Sequence, residues 1–497
     1  MTTVPRQRPF EPAPNPGLKF ADFSQISENG FGDGHNSYAH SMAWFNNHLY
    51  AGTTRSNLCL IKLQTFADEW NLATWPVECP DDIEGLYQLD RRAQIWRYEP
   101  IGKNWQQVSF APMVMGSEGE LVAREMGYRA MTVFQGESDP APALYVATMA
   151  PGRAPGPVIL RSLDGENFTA VSDYGILGLP ITSTRLLVPF KGRLFTSPTS
   201  TRGGQPNISG IPIVYESRDP ASGQWVAASI GGFGEVENEG VFTLCAFNDE
   251  LYAGTLNSQG FQVWRSDCQG NPPYQWTKVI DKGAGRGALN QIALTMKVFN
   301  NALYVGTGIQ NGGHDIANRI GPAAGELIRI FPDDRTELVV GMTRDTPEGK
   351  KRPISGFQAG FGNFFNGYFW CMETHQDWLY LGTCNIISLM LSWCKFDQQK
   401  TGKLRRLVEE VGIDNIVKHQ SGFELWRSRD GENWLPVDRQ GFSNPYNIGV
   451  RNLVSTDYGL FIGTTNPFGP RVAVKQNEEW VYTDNPKGGL EVWLGLK

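Results

Sequence analysis

Short apolar runs alternate with polar positions along most of this chain, and two such runs recur as a pair. The first is Leu-Tyr-x-Gly-Thr or a close variant, beginning at Leu49, Leu144, Leu194, Leu251, Leu303, Leu379 and Leu460. The second follows each of them: QIWRY from Gln94, VILRS from Val158, IVYES from Ile213, QVWRS from Gln262, ELIRI from Glu326, ELWRS from Glu424 and EVWLG from Glu491. Alternation with period two, rich in aromatic and β-branched residues, predicts strands. The stretch from Phe247 to Trp276 shows the unit in full. Asn248-Asp249 between two apolar runs is a two-residue hairpin signal, Leu251–Thr255 is β-rich, and Gln262–Arg265 alternates. A fourth run, led by or containing Trp105, Phe168, Trp225, Trp276, Leu338 or Trp434, completes a four-stranded unit. The recurrence distance of about 50 to 95 residues is within or above the range of propeller and solenoid repeats.

Six units are complete, and a seventh stops after its third strand at Leu490–Gly495. Its missing strand is found near the other end of the chain, where Phe23-Ser-Gln-Ile-Ser-Glu-Asn-Gly-Phe31 matches Trp434-Leu-Pro-Val-Asp-Arg-Gln-Gly-Phe442. The pattern predicts an all-β fold, one seven-bladed β-propeller over residues 18–497 closed by the N-terminal strand, after a flexible segment 1–17. Closure would remove the open sheet edges of a linear stack. Length alone suggests about three domains, but one large propeller can use the whole chain. Three long insertions, 55–92, 308–325 and 385–422, all connect the second and third strands of their units. They are therefore expected to cap one face together, and long ordered loops are usually functional. Within the third, Leu404, Leu407, Val408 and Val411 fall at helical spacing, which predicts a short amphipathic helix.

Composition narrows the partners. The net charge of −7 over 497 residues offers nothing to a phosphate backbone, so nucleic acid is excluded as a partner. The first residues, MTTVPRQRPFEPAPNPG, contain no apolar signal core, and no run of about 18 apolar residues exists. A cytoplasmic protein with no membrane partner is expected. Seven cysteines without CxxC spacing argue against a zinc site and a disulfide framework, and predict buried, reduced thiols. No metal ligand set and no cofactor motif is visible, although calcium at a propeller loop stays open. HExxH, GxSxG, Walker A and GxGxxG motifs are absent.

Two columns of residues emerge when the units are aligned on the recurrent leucine. Thirteen positions before it stand Asn36, Asn238, Asn290, Asn366 and Asn447. Asn tolerates left-handed backbone and bonds its own turn, so a turn role comes first, with ligand contact by Asn36 as a secondary one. Nine positions before it stand His40, Arg185, Phe242, Leu294, Trp370 and Arg451, with Arg129 in this place in unit two. Arginines converging from several units would hold a carboxylate, phosphate or phenolate in bidentate fashion. Arg55, Arg129, Arg185, Arg451, Asn36 and Trp370 are thus candidate substrate contacts. His40, Tyr38, Tyr368, His314 and Asp315 are candidate proton-transfer groups. The competing reading pairs each Arg with an acid of the next unit. The turns Ser162-Leu-Asp-Gly-Glu-Asn-Phe168 and Ser428-Arg-Asp-Gly-Glu-Asn-Trp434 look like a shortened Asp-box, for which a structural role is expected.

From about residue 20 onward the repeated "N…F-N-x-x-L-Y-x-G-T…E-V-W-R-S-x-D-G-x-x-W" resembles bacterial seven-bladed propeller proteins. The blade pattern is similar to the propeller of cylindrocyclophane-type enzymes, which join a secondary alkyl halide to a resorcinol ring by Friedel–Crafts alkylation. That resemblance implies an enzyme acting on a small aromatic or anionic molecule. It lies in the blades alone and transfers no catalytic residue. Two alternatives stay open: a sialidase-like glycoside-processing enzyme, favoured by three Arg and the Asp-box-like turns, and a non-catalytic binding module. Oligomeric state is unassigned.

Overall fold

The computed structural model describes residues 15–63, 72–201, 213–315, 318–346, 349–390 and 409–496. Just under half of them lie in strands, all antiparallel, and most of these strands join in one continuous hydrogen-bonded system. Unit one runs Asn36–Phe45, His48–Arg55, Gln94–Glu99 and Asn104–Phe110. The same order recurs in unit four as Asn238–Phe247, Glu250–Asn257, Val263–Ser266 and Thr277–Ile280. In unit three the two inner strands are each split, so that Ile181–Thr184 pairs with Pro198–Thr201 and Val188–Phe190 with Arg193–Thr196.

The recurrent phrase explains itself in the packing. All seven of its leucines are fully buried. The threonines at Thr53, Thr148, Thr255, Thr307, Thr383 and Thr464 each accept a hydrogen bond from the backbone N–H of the residue that opens the second recurrent phrase, at the start of the third strand or immediately before it. The glycine between them permits the next unit to approach. A Cβ on Gly382 would sit 2.3 Å from Val450, and one on Gly254 2.6 Å from Ala293. The hairpin residues Asn248 and Asp249 both take positive φ, as a type I′ turn requires.

Single bridges and close strand contacts connect one unit to the next: Thr54 with Gly127, Met149 with Ser183, Leu256 with Ile292, Gly308 with Tyr368, and Cys384 with Gly449. Unit three meets unit four through Pro198–Thr201 and Asn238–Phe247. Thr465 of unit seven then bridges to Tyr38 of unit one. The first described strand, Phe23–Gln25, pairs antiparallel with the last, Val492–Gly495. Just before it, Leu18 donates its N–H to Tyr380 Oη and receives the Arg427 guanidinium on its carbonyl.

The first and third insertions pack together. Leu58, Trp75, Val77 and Leu86 share one apolar cluster with Ile386 and Leu389. Gly312 of the second insertion presses against Ile386 and donates its N–H to Tyr368 Oη. A fourth excursion, unforeseen from the sequence, completes this layer. It is the hairpin Arg471–Gln476 and Glu479–Asp484, which bridges Val472 to Val77. Most of the expected 403–411 helix lies outside the described residues, as does segment 1–14.

The expectation of reduced thiols throughout is corrected. Cys59 and Cys79, both in the first insertion, form a disulfide with Cα atoms 5.3 Å apart. Their spacing of 20 residues carries no motif, so only folding of the insertion brings them together. Cys245, Cys268, Cys371 and Cys384 are free.

Candidate functional site

The column that holds His40 is a column of β-bulges. Each first strand loses register at the residue of this column: His40 between Ala39 and Ser41, Arg129 between Tyr128 and Ala130, Phe242 between Val241 and Thr243, Leu294 between Ala293 and Thr295, Trp370 between Phe369 and Cys371, and Arg451 between Val450 and Asn452. A bulge leaves one residue unpaired and re-aims its side chain. In unit three Arg185 stands at the break in the split strand, its N–H bonded to Ser197. The order of the units therefore divides these residues into two neighbouring stretches. Arg451, His40, Arg129 and Arg185 follow one another, and Phe242, Leu294 and Trp370 follow next.

The cationic and apolar stretches meet at stacked pairs. The Arg185 guanidinium lies 4.1 Å from the Phe242 ring centroid and donates to the Phe242 carbonyl at 2.9 Å. Arg451 stands 5.2 Å from the Trp370 ring. Arg129 donates to Ser183 Oγ at 2.8 Å. Tyr38 contacts both His40 and Trp370 edge-on, and Tyr368 contacts Trp370 in the same way. Gly449 leaves room for Trp370, whose ring a Cβ there would meet at 2.4 Å.

Among the described residues, no carboxylate comes within ion-pair distance of Arg129, Arg185 or Arg451, and Nε of Arg129 and of Arg451 has no hydrogen-bond partner. This departs from the reading in which each Arg meets an acid of the next unit. Burial first, and then the neighbouring guanidiniums, disfavour the charged form. Arg129 is brought down to about 9, by burial and by Arg451. Arg185 falls well below its ordinary value through burial, Arg129 and Arg451. Three guanidiniums held close without a described acid are an arrangement that can receive an anion.

His40 is buried and hydrogen-bonds through Nδ1 to Thr54 Oγ1. Burial, and then Arg451, Arg129 and Arg185, hold its pKa well below 6.5, so the ring is neutral near pH 7. Burial pushes the Tyr38 and Tyr368 phenols well above their ordinary value, which suits them to donate rather than to act as bases. The sign of the His40 effect gives a measurable consequence. Below pH 6.5 the unfolded chain binds a proton at this position and the folded chain does not, so stability falls with falling pH by up to about 1.4 kcal/mol per unit. His40→Gln should reduce the slope of unfolding free energy against pH below 6.5 by as much as one proton. An unchanged slope in urea titrations would show that His40 is protonated in the fold.

The other candidates go elsewhere. Arg55 is buried in a salt bridge to Asp33 at 2.7 Å and donates to Asn36 Oδ1 and the Asp90 carbonyl, so its expected substrate contact is corrected to a structural role. Asn36 is fully buried, with Nδ2 bonded to the Gly30 carbonyl and Gln94. Asn238, Asn366 and Asn447 repeat the bond to a left-handed glycine six residues earlier, and Asn290 to one seven residues earlier, which is the turn role. Asp315 is buried and satisfied by Gln291 and Asn318, and among the described residues no contact brings it or His314 to the Arg cluster. In the Asp-box-like turns, Asp164 and Asp430 accept backbone N–H groups of their own loops, as expected. No group of three or more potential metal ligands occurs among the described residues. No described helix is long and apolar enough to cross a membrane.

No protein-family model matches this chain. No curated protein matches it. Among solved structures, it is similar to polysaccharide lyase Uly1 at 10% identity over 92% of this chain and 90% of that one, with a TM-score of 0.45. A structure from work on two prolyl endopeptidases matches 86% of this chain at 11% identity and a TM-score of 0.38, and this chain covers 46% of its length. Arabinanase Arb43A of Bacillus subtilis matches over 51% of this chain and 88% of its own, at 13% identity and a TM-score of 0.29.

Proposed function

We propose that the seven units form a seven-bladed β-propeller closed by the Phe23–Gln25 strand, and that the bulge residues line its channel beneath a cap built from the insertions. In this reading the channel takes up a small anion with an aromatic or apolar body. The carrying observation is the run of three guanidiniums without a carboxylate partner, flanked by Phe242, Leu294 and Trp370. The guanidiniums would receive the anionic group, and the three apolar side chains would receive the body. His40, neutral and fixed through Nδ1, has Nε2 left to accept a proton.

The enzymatic form of this reading is alkylation of a resorcinol-like ring. The ring carbon attacks the alkyl carbon, the carbon–halogen bond breaks, the halide leaves toward a guanidinium, and the ring proton passes to His40. The chain's own side chains supply these groups without a cofactor. A glycosidase would need a pair of carboxyl groups flanking the bond, and the described bulge residues include none. The cytoplasmic location expected from the sequence is set against the Cys59–Cys79 disulfide, which favours an oxidising compartment.

The test is mass analysis of purified protein incubated with secondary alkyl halides and resorcinols, beside equilibrium dialysis of a radiolabelled aromatic carboxylate. Saturable, salt-sensitive uptake together with alkylated product supports the full reading. Uptake without product under any donor supports a binding module, and the absence of both uptake and product overturns the reading.

A further inference from the structure

A second unpaired guanidinium lies outside the bulge column. Arg91 follows the helix Ile83–Gln88 of the first insertion, and only 3% of its surface is exposed. Its single hydrogen bond runs from Nη2 to Met126 Sδ at 2.6 Å. Nε and Nη1 have no partner. The carboxylates nearest in sequence are committed elsewhere, Asp90 to Arg92 in bidentate fashion and Glu84 to Arg153, while Glu125 meets Arg124 through one oxygen and its Oε2 has no partner. Arg91 lines a cavity of about 320 Å³ whose other walls include the Asp90–Arg92 pair, Tyr87, Met113, Val122 and Pro151. The Tyr87 ring stands 5.8 Å from its guanidinium carbon.

A buried cation with two empty donors is poorly compensated unless something answers it. A guanidinium fork matches a carboxylate in shape and charge. We propose that this cavity is a second ligand site, which takes a small monocarboxylate with an apolar body, its carboxylate on Arg91 and its body against Met113 and Val122. The site is built from the first insertion and from the segment joining units one and two. Its partners are distinct from the bulge residues, so it stands or falls independently of the channel reading.

Benzoate and its neutral isostere benzamide serve as probes, read by the methyl resonances of protein labelled with [methyl-13C]methionine. Met113→Leu and Met126→Leu variants assign the two signals. Benzoate should shift both signals saturably and benzamide neither. Arg91→Met should abolish the shift, and Arg91→Lys, which keeps the charge and loses the fork, should weaken it by about tenfold. The response should persist in Arg451→Met. Equal shifts with both probes, no shift with benzoate up to 10 mM (about a −2.7 kcal/mol interaction), or a response that vanishes in Arg451→Met would each overturn the proposal. The benzoate–benzamide comparison needs no variant, so it decides the matter even where Arg91→Met fails to fold.

Discussion

Arg451→Met should make the protein more stable and a poorer binder at once. Arg451 shares its surroundings with Arg129 and Arg185, and no described acid offsets them. Replacing a poorly compensated cation with an apolar side chain of similar length removes a desolvation cost and a repulsion. The guanidinium keeps some exposed surface, so the gain in the free protein is about 1 kcal/mol, the low end for such exchanges. The same change removes a charge-assisted contact to the bound anion, and the affinity for an aromatic carboxylate should drop by about 10- to 100-fold. Thermal unfolding with and without benzoate reads both effects. The wild type should gain more from the ligand than the variant does, at constant ionic strength. A variant that is less stable without ligand and binds equally well would show that Arg451 is a structural residue.

Phe23→Ala should be among the most destabilising single changes in the chain. Phe23 is buried against Phe442, with ring centroids 5.3 Å apart, in a cluster with Leu18, Val437, Leu460 and Ile462. Among the described residues its strand has Val492–Gly495 as its only sheet partner. Truncation to Ala leaves a cavity and weakens the hold on the last strand, at a cost of about 3–5 kcal/mol. The urea midpoint should fall accordingly, and proteolysis should begin at residues 15–30. Gly495→Ala should act at the same place from the opposite side, since its Cβ would stand 2.5 Å from the Phe23 ring. A loss below about 1 kcal/mol for Phe23→Ala would mean that the strand contributes little to the fold.

Much of this organisation is legible in the residues because it repeats. Asn248-Asp249 signals its hairpin chemically, and Phe23 is recognisable by its likeness to Trp434. The His40 column is legible as an alignment, but the cause is not. A bulge changes register by one residue and leaves no composition of its own, so the direction of Arg129 or Arg451 appears only once the strand pairs are known. Features that occur once are harder to read. Cys59 and Cys79 meet through the folding of a unique insertion. The hairpin Arg471–Asp484 is hidden because its period-two run, unlike those of the units, has no counterpart elsewhere. Arg55 was drawn toward the site by sequence proximity to the second-strand phrase, whereas its partner Asp33 lies in the turn that precedes the first strand.

The pairing of Phe23–Gln25 with Val492–Gly495 also sets a clock for synthesis. The earlier strand must wait until every unit between the two has been made before its partner exists. Until then Leu18 and Phe23 are apolar residues without a core, and the third strand of the last unit, once made, has an edge that accepts any extended segment. Long-range pairing of this kind is slow and exposes intermediates to aggregation. The nascent protein should therefore depend on holding chaperones for longer than its local hairpins alone would require, and that dependence should end when residue 495 emerges.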